Sequence, residues 1–464
     1  MRWPGATAAA SSRPTAIGSA TTSSPTTCAH ARGGGARPDA RSVGSPIVRQ
    51  RVPLLRDLPI EVAVLASIAF FVALGFGIVI PSIPIFADSF GVSALAASTV
   101  VSAFALMRFV SSPLAGAWTN RFGERGVLAT GLGIVAVSSL FAGLSQSYVQ
   151  LLVLRGIGGI GSAMFTVSAM ALLLRVVSAD LRGRAAAAWQ GGFLIGGVSG
   201  PAIGGLVLAI SIRAPFFFYA GTLAIATVVA LVFLSPQRIT AREESVEKSE
   251  AGDDVKVSGW TELKQALGTR AYRAALAVNL SSGLTAFGLR SALIPLFVVE
   301  ALRQGPSLSG WAFLVAAVVQ AILLLPAGRL TDLRGRRPAM IIGSVASVIG
   351  MAILVADDLA TASTTLAVTV FFLSMAVLGV ATAFLGSAPS AVVGDIMGGR
   401  QGGSVVAAYQ MVSDFGAVVG PLIGGLLLDL YGFDWAFAFG AAISATALVF
   451  VLFMPETLRK PAQV

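Results

Sequence analysis

The chain has 464 residues, 55% hydrophobic and 12% charged, with mean hydropathy +0.84, a net charge of +10 and a pI near 10.6. A soluble domain is about a quarter charged, so this composition excludes an ordinary globular protein and points to a polytopic membrane protein. The single Cys and single His, Cys28 and His30, both lie in the N-terminal tail. The apolar body therefore cannot build a disulfide framework, a His/Cys metal centre, or a Cys–His or Ser–His nucleophile pair.

Residues 1–57 are rich in Ser, Thr, Pro, Gly, Ala and Arg and nearly free of acids. They cannot bury enough apolar surface to fold and carry no apolar signal-peptide core. A disordered cytoplasmic tail, or a start codon assigned too early, explains them better than an organelle transit peptide. From Glu61 onward come twelve apolar segments long enough to cross about 30 Å of hydrocarbon as helices. They fall at about 60–84, 94–116, 127–145, 148–175, 184–210, 215–235, 272–299, 308–328, 338–357, 364–394, 402–430 and 434–454. The polar stretch 236–271 separates six spans (58–235) from six (272–456) and reads as a cytoplasmic linker, with WTELKQAL (Trp260–Leu267) as a short surface helix. A short tail, 457–464, closes the chain.

Alternate loops differ in charge. One set carries Arg121, Arg125, Arg175, Arg182, Arg184, Arg329, Arg334, Arg336, Arg337 and Arg400, with Arg459 and Lys460 in the tail. The other carries Asp88, Arg213, Glu300, Arg303, Asp357, Asp358 and Asp434. The positive-inside rule places both termini in the cytoplasm, as an even number of spans requires. The basic residues lie in short loops between apolar runs, so nucleic-acid binding is not expected.

The chain repeats itself. QGGFLIGGVSGPAIGG (Gln190–Gly205) returns about 220 residues later as QMVSDFGAVVGPLIGG (Gln410–Gly425). Gly196, Gly200, Pro201, Gly204 and Gly205 match Gly416, Gly420, Pro421, Gly424 and Gly425. Glycines four apart make a smooth stripe for close helix packing, and the proline bends the helix. Two further stretches also correspond. GAWTNRFGERGVL carries Gly116, Asn120, Arg121, Gly123 and Arg125, and GRLTDLRGRRPAM carries Gly328, Asp332, Gly335, Arg336 and Arg337. Each reads as a loop with a glycine at the helix end, a turn glycine and cations that lock helix ends together.

Charges inside spans are few. Arg155 stands in LLVLRGIGGIGSAMF, Arg108 in span two with Gln320 at the matching point of span eight, Arg290 in span seven and Asp414 in span eleven. A charge placed there faces a cavity or a partner. Asp414 and Arg290 pair if their helices adjoin. The mid-membrane charges sum to a positive value, which favours neutral or anionic substrates over strongly cationic ones. Gln190, Phe193, Phe287 and Gln410, with Phe104 and Trp189, are candidate cavity residues alongside Arg108 and Gln320. Gly156, Gly158 and Gly161 spell GxGxxG but follow no strand, so no dinucleotide site is expected. There is no Walker A; the first lysine is Lys248.

The two loop stretches resemble the G-x-L-x-D-R-x-G-R-R/K motif of the major facilitator superfamily. Asn120 stands in place of the first-half Asp and Glu124 in place of a cation, which puts a first-half charge lock in doubt. Arg155, Gly159 and Gly161 resemble the fourth-helix motif R-x-x-x-G-x-G. LGFGIVIPSIPIF (Leu74–Phe86) and the Gly196–Gly205 stretch resemble the first- and fifth-helix motifs of the twelve-span drug:proton antiporters. The resemblance implies an all-α membrane fold, with twelve transmembrane helices in two pseudo-symmetric six-helix bundles. It implies a monomeric, cofactor-free, proton-coupled exporter of small, mostly apolar molecules in the plasma membrane, not an enzyme. Asp414, Arg155 and Arg290 would serve proton coupling. A nutrient importer on the same fold is the alternative, and a non-transporting sensor a more distant one.

Overall fold

The structure, a computed structural model, describes residues 58–177, 181–234, 259–359, 363–397 and 403–458. The N-terminal tail, most of the linker, Arg400, Arg459 and Lys460 lie outside them. Among the described residues there is no strand, and twelve helices are long and apolar enough to cross a membrane. They are α1 Ile60–Asp88, α2 Ala94–Phe122, α3 Glu124–Gly143, α4 Tyr148–Val176, α5 Arg184–Ile210, α6 Ala214–Phe233, α7 Arg270–Ala301, α8 Ser307–Leu333, α9 Arg336–Ala356, α10 Thr364–Met397, α11 Ser404–Tyr431 and α12 Phe433–Leu452.

Local chemistry sets the ends. Ser93, Ser147 and Thr269 each accept a hydrogen bond from the backbone N–H three residues on, capping α2, α4 and α7. Gly123 and Gly335, with φ of 81° and 127°, turn the chain between α2 and α3 and between α8 and α9. The loop motifs are therefore mostly helix. α2 and α8 run past Gly116 and Gly328, which were expected at helix ends, to Phe122 and Leu333, and the second glycines, Gly123 and Gly335, make the turns as expected.

Two spans are irregular. α1 breaks between Val79 and Ser82, at Pro81. α7 is α-helical to Ser282, takes wide π turns over Gly283–Leu289, resumes at Arg290 and widens again over Phe297–Ala301. Pro295 lies in this stretch and lacks an N–H to donate, and such π turns recur at functional positions. The short helix Gly259–Gly268 packs on α7 and α11.

The halves are built alike. α1 packs on α5, α2 and α3 on α4, and α3 on α6; correspondingly α7 packs on α11, α8 and α9 on α10, and α9 on α12. Glycine sets the first of these contacts in both halves. A Cβ on Gly77 would lie 3.0 Å from the Gly200 Cα, and one on Gly288 2.9 Å from the Gly420 Cα. The two backbones touch where Pro201 and Pro421 bend their helices. The repeat seen in the sequence is thus a repeat of packing.

Candidate functional site

The halves meet along two main seams, α2 against α11 and α5 against α8, and α7 also touches α1 and α2. Both seams are tight at the end of the bundle remote from the basic loops. A Cβ on Gly310 of α8 would lie 2.4 Å from the Gly205 Cα, and one on Gly425 2.8 Å from the Ala94 oxygen. Asp429 of α11 accepts hydrogen bonds from the Ala94 and Leu95 N–H groups (2.8 and 2.9 Å), closing the start of α2 across the seam. Ser102 Oγ donates to the Val418 oxygen at 2.7 Å. Toward the basic end the seams open. Leu114 and Asn120 on α2, Ile322 and Leu325 on α8, Gln190 on α5 and Gln410 on α11 are exposed. Among the described residues, no hydrogen bond or ion pair joins the halves beyond Arg108 and Asp414.

Arg108 and Asp414 close the seam at its mid-depth. Arg108 Nη2 donates to Asp414 Oδ1, and the side chains keep 34% and 28% of their surface, so the pair is only partly buried. Arg108 is thus the partner of Asp414. Arg290, the partner expected from depth alone, is not. α7 does adjoin α11 here, since a Cβ on Gly283 would lie 2.3 Å from the Ser413 oxygen. The Arg290 guanidinium nevertheless lies 6.0 Å from the Phe313 ring centroid, its Nε has no partner, and it makes no hydrogen bond or ion pair among the described residues. Arg155, 3% exposed, rests 4.5 Å from the Phe104 ring centroid and is likewise unpaired.

At the basic end each half carries a latch. In the second half Arg336 bridges Asp332 and Asp395, both at 3.1 Å. In the first half Glu124, at the position of Arg336, pairs at 2.7 Å with Arg175, at the position of Asp395. The lock that Asn120 and Glu124 put in doubt is present with its signs exchanged. The neutral Asn120 now makes sense, because an Asp there, where Asp332 meets Arg336 across the turn of the second half, would set a like charge beside Glu124. Two backbone contacts correspond as well: Arg125 Nη2 donates to the Leu231 oxygen and Arg337 Nη2 to the Leu452 oxygen, each at 2.6 Å. Arg121 stays exposed with its guanidinium over Phe122. Gly116 and Gly328 have open space where a Cβ would sit, so they approach no helix in this state.

After Met454 the chain folds back. Glu456 accepts hydrogen bonds from the N–H groups of Arg336, Arg337, Thr457 and Leu458. Burial pushes this carboxyl up, but the four donors outweigh it and hold it below the usual 4.5.

The remaining candidates scatter. Trp189 is buried between Phe165 (5.7 Å) and Phe193 (5.1 Å) and is core packing, with Phe193 at its edge. Phe104 is buried beneath Arg155. Phe287 is 60% exposed, Gln190 and Gln410 are exposed, and Gln320 is half-buried. Sequence reasoning missed Tyr219, Gly310, Asp395, Asp429 and Glu456. The 220-residue offset does set Arg175 opposite Asp395 and was the available signal for that pair. A crevice of about 490 Å³ lined by Phe141, Leu144, Val149 and Val153, beside the turn from α3 to α4, contains no charged side chain and none of these groups.

Two repeated six-helix halves, sealed at one end and parted at the other around a charged mid-depth, define a membrane transporter. Residues 65–301 and 275–464 match the Major Facilitator Superfamily, and the chain belongs to it. It is 27% identical over 378 residues to "Multidrug resistance protein 2" of Bacillus subtilis, covering 79% of this chain and 88% of that protein. It is 23% identical over 399 residues to "Quinolone resistance protein NorA" of Staphylococcus aureus, covering 80% and 90%. A crystal structure of the nucleoside transporter NupG shares the fold, with a TM-score of 0.66 at 13% identity over 84% of this chain and 99% of that one.

Proposed function

We propose that the protein exports small, mostly apolar drugs or metabolites across the plasma membrane in exchange for protons, as a monomer in the bilayer. The kinship with multidrug and quinolone resistance proteins supports the export of such compounds. The basic end is the cytoplasmic one, with both termini there, because its loops hold the arginine excess. The structure is then open to the cytoplasm.

The observation that carries the coupling is the position of Arg108–Asp414 in the seam that must open when access alternates. When α2 and α11 part at the far end, Asp414 loses its counter-charge, and a carboxylate left so in an apolar seam takes a proton from outside. When the seam closes, Arg108 displaces that proton toward the cytoplasm, and the open side admits substrate. Arg155 and Arg290 keep the surroundings positive and aid the release. Gly116, Asn120, Arg121, Gly123, Arg125, Gly328, Asp332, Gly335, Arg336 and Arg337 form the cytoplasmic gate. Gly196, Gly200, Pro201, Gly204, Gly205, Gly420 and Pro421 form the rocking surfaces.

The test is transport in proteoliposomes under an imposed proton gradient. Asp414→Asn should insert normally and lose proton-driven efflux. Undiminished efflux by that variant would discard the assignment.

A further inference from the structure

We propose that Arg155, with Tyr219, Phe104 and Phe76, forms a binding subsite for a monoanionic group, such as a carboxylate, carried on a flat apolar body. This names the substrate class of the transporter proposed above and rests on that reading.

Arg155 is 3% exposed, with Nε buried and unpartnered and no hydrogen bond or ion pair among the described residues. A buried cation is ordinarily balanced by a carboxylate. None is at hand for this one. The acids of α1, Glu61 and Asp88, sit at its two ends, and the mid-depth Asp414 is held by Arg108. The helix that carries Arg155 is tightly docked. A Cβ on Gly159, one turn further along α4, would lie 2.3 Å from the Phe104 oxygen, so α4 lies hard against α2.

The walls around it are aromatic. Phe76 lies 6.1 Å from Phe104 and 6.4 Å from Tyr219, centroid to centroid. Tyr219 is 2% exposed and completes the aromatic wall beside Phe76. Arg108, 34% exposed, marks the approach from the open seam. A guanidinium offers parallel donors that fit a carboxylate, and the rings offer flat apolar surface beside it. Arg290, equally unpaired, adds a second positive charge across the seam. Among the described residues, a cationic substrate finds no unpaired carboxylate at this depth.

The test uses purified full-length protein in lipid nanodiscs, with no gradient, and three probes sharing one body: 1-naphthoate, 1-naphthamide and 1-naphthylmethylammonium. Equilibrium binding should rank acid above amide by at least about tenfold, the gain expected of a charge-assisted contact, with the ammonium weakest. Arg155→Gln should bring the acid-to-amide ratio to within about twofold, and Arg155→Lys should restore part of the preference. A merely structural role would weaken both probes alike and keep the ratio. That result, an ammonium bound as tightly as the acid, or no saturable naphthoate binding, overturns the proposal. The wild-type ranking decides even where a variant fails to fold. Loss of proton-driven transport with the ranking intact would instead count against the coupling mechanism.

Discussion

Gly310 tests the reading of the seams most sharply. A Cβ there would lie 2.4 Å from the Gly205 Cα and 2.6 Å from its nitrogen, both backbone atoms that cannot rotate away. The clash exists only while the far end is closed. Gly310→Ala should therefore raise the energy of this state by about 1–3 kcal/mol, the usual cost of overpacking. A penalty of that size shifts a two-state population by about 5- to 150-fold. The shift can be read as a distance between spin labels at Ser211→Cys and Arg303→Cys, which flank the α5–α8 seam, after Cys28, the chain's one cysteine, is replaced by Ser. The short-distance population should shrink in Gly310→Ala. Gly205→Ala should do less, because its Cβ would meet the Ser307 oxygen at 3.3 Å. Gly221→Ala, which faces open space, should do nothing. Gly328→Leu should act in the opposite sense, since the space it fills is open only while the basic end is parted. Unchanged distances in Gly310→Ala, or an equal change in Gly221→Ala, would refute the reasoning.

Three further outcomes follow from the geometry. Arg175→Gln strands the Glu124 carboxylate, 7% exposed, and should cost about 1–2 kcal/mol of thermal stability in detergent, discounted because Arg175 is itself half-exposed; Glu124→Arg with Arg175→Asp should recover most of it. Glu456 has a depressed carboxyl, so its contribution is complete above the ordinary value of 4.5 and is lost as pH falls through the lower folded value. Glu456→Gln should accordingly melt lower than the parent at pH 7 by about 1 kcal/mol, modest because the side chain is exposed, and the gap should close only in strong acid. An anion leaving against one entering proton moves two charges, where a neutral probe moves one. An inside-negative potential of 100 mV should thus supply about 4.6 kcal/mol to naphthoate export and about 2.3 kcal/mol to naphthamide, and equal voltage dependence would deny either the anion or the exchange.

The twelve spans were legible because each is an apolar run bounded by polar or charged turns, and the glycine–proline doublet marked the helix that lies against its neighbour's backbone. Helix ends were less legible. Gly116 and Gly328 read as terminators, yet the turn needs positive φ only at Gly123 and Gly335. The π turns of α7 were invisible, because Gly283, Gly288 and Pro295 in an apolar run do not state which hydrogen-bond register they produce. Arg108 and Asp414 lie 306 residues apart in sequence. Depth along a helix told how far each sits in the membrane, but not which helix it faces.

The repeat also explains why the seams differ in chemistry while agreeing in shape. The position matching Arg108 on α8 is Gln320, and the position matching Asp414 on α5 is Leu194. One seam therefore carries an ion pair where the other carries an amide and a methyl-bearing chain. In the proposed cycle both seams open and shut together, so close helix approach is needed on both sides of the axis and the glycines occur twice. The proposed exchange calls for one such carboxylate, and a second would double the charge to be buried at each closure. The proposed cycle thus turns over a single proton, and the two remaining cations, Arg155 and Arg290, stay free for the substrate.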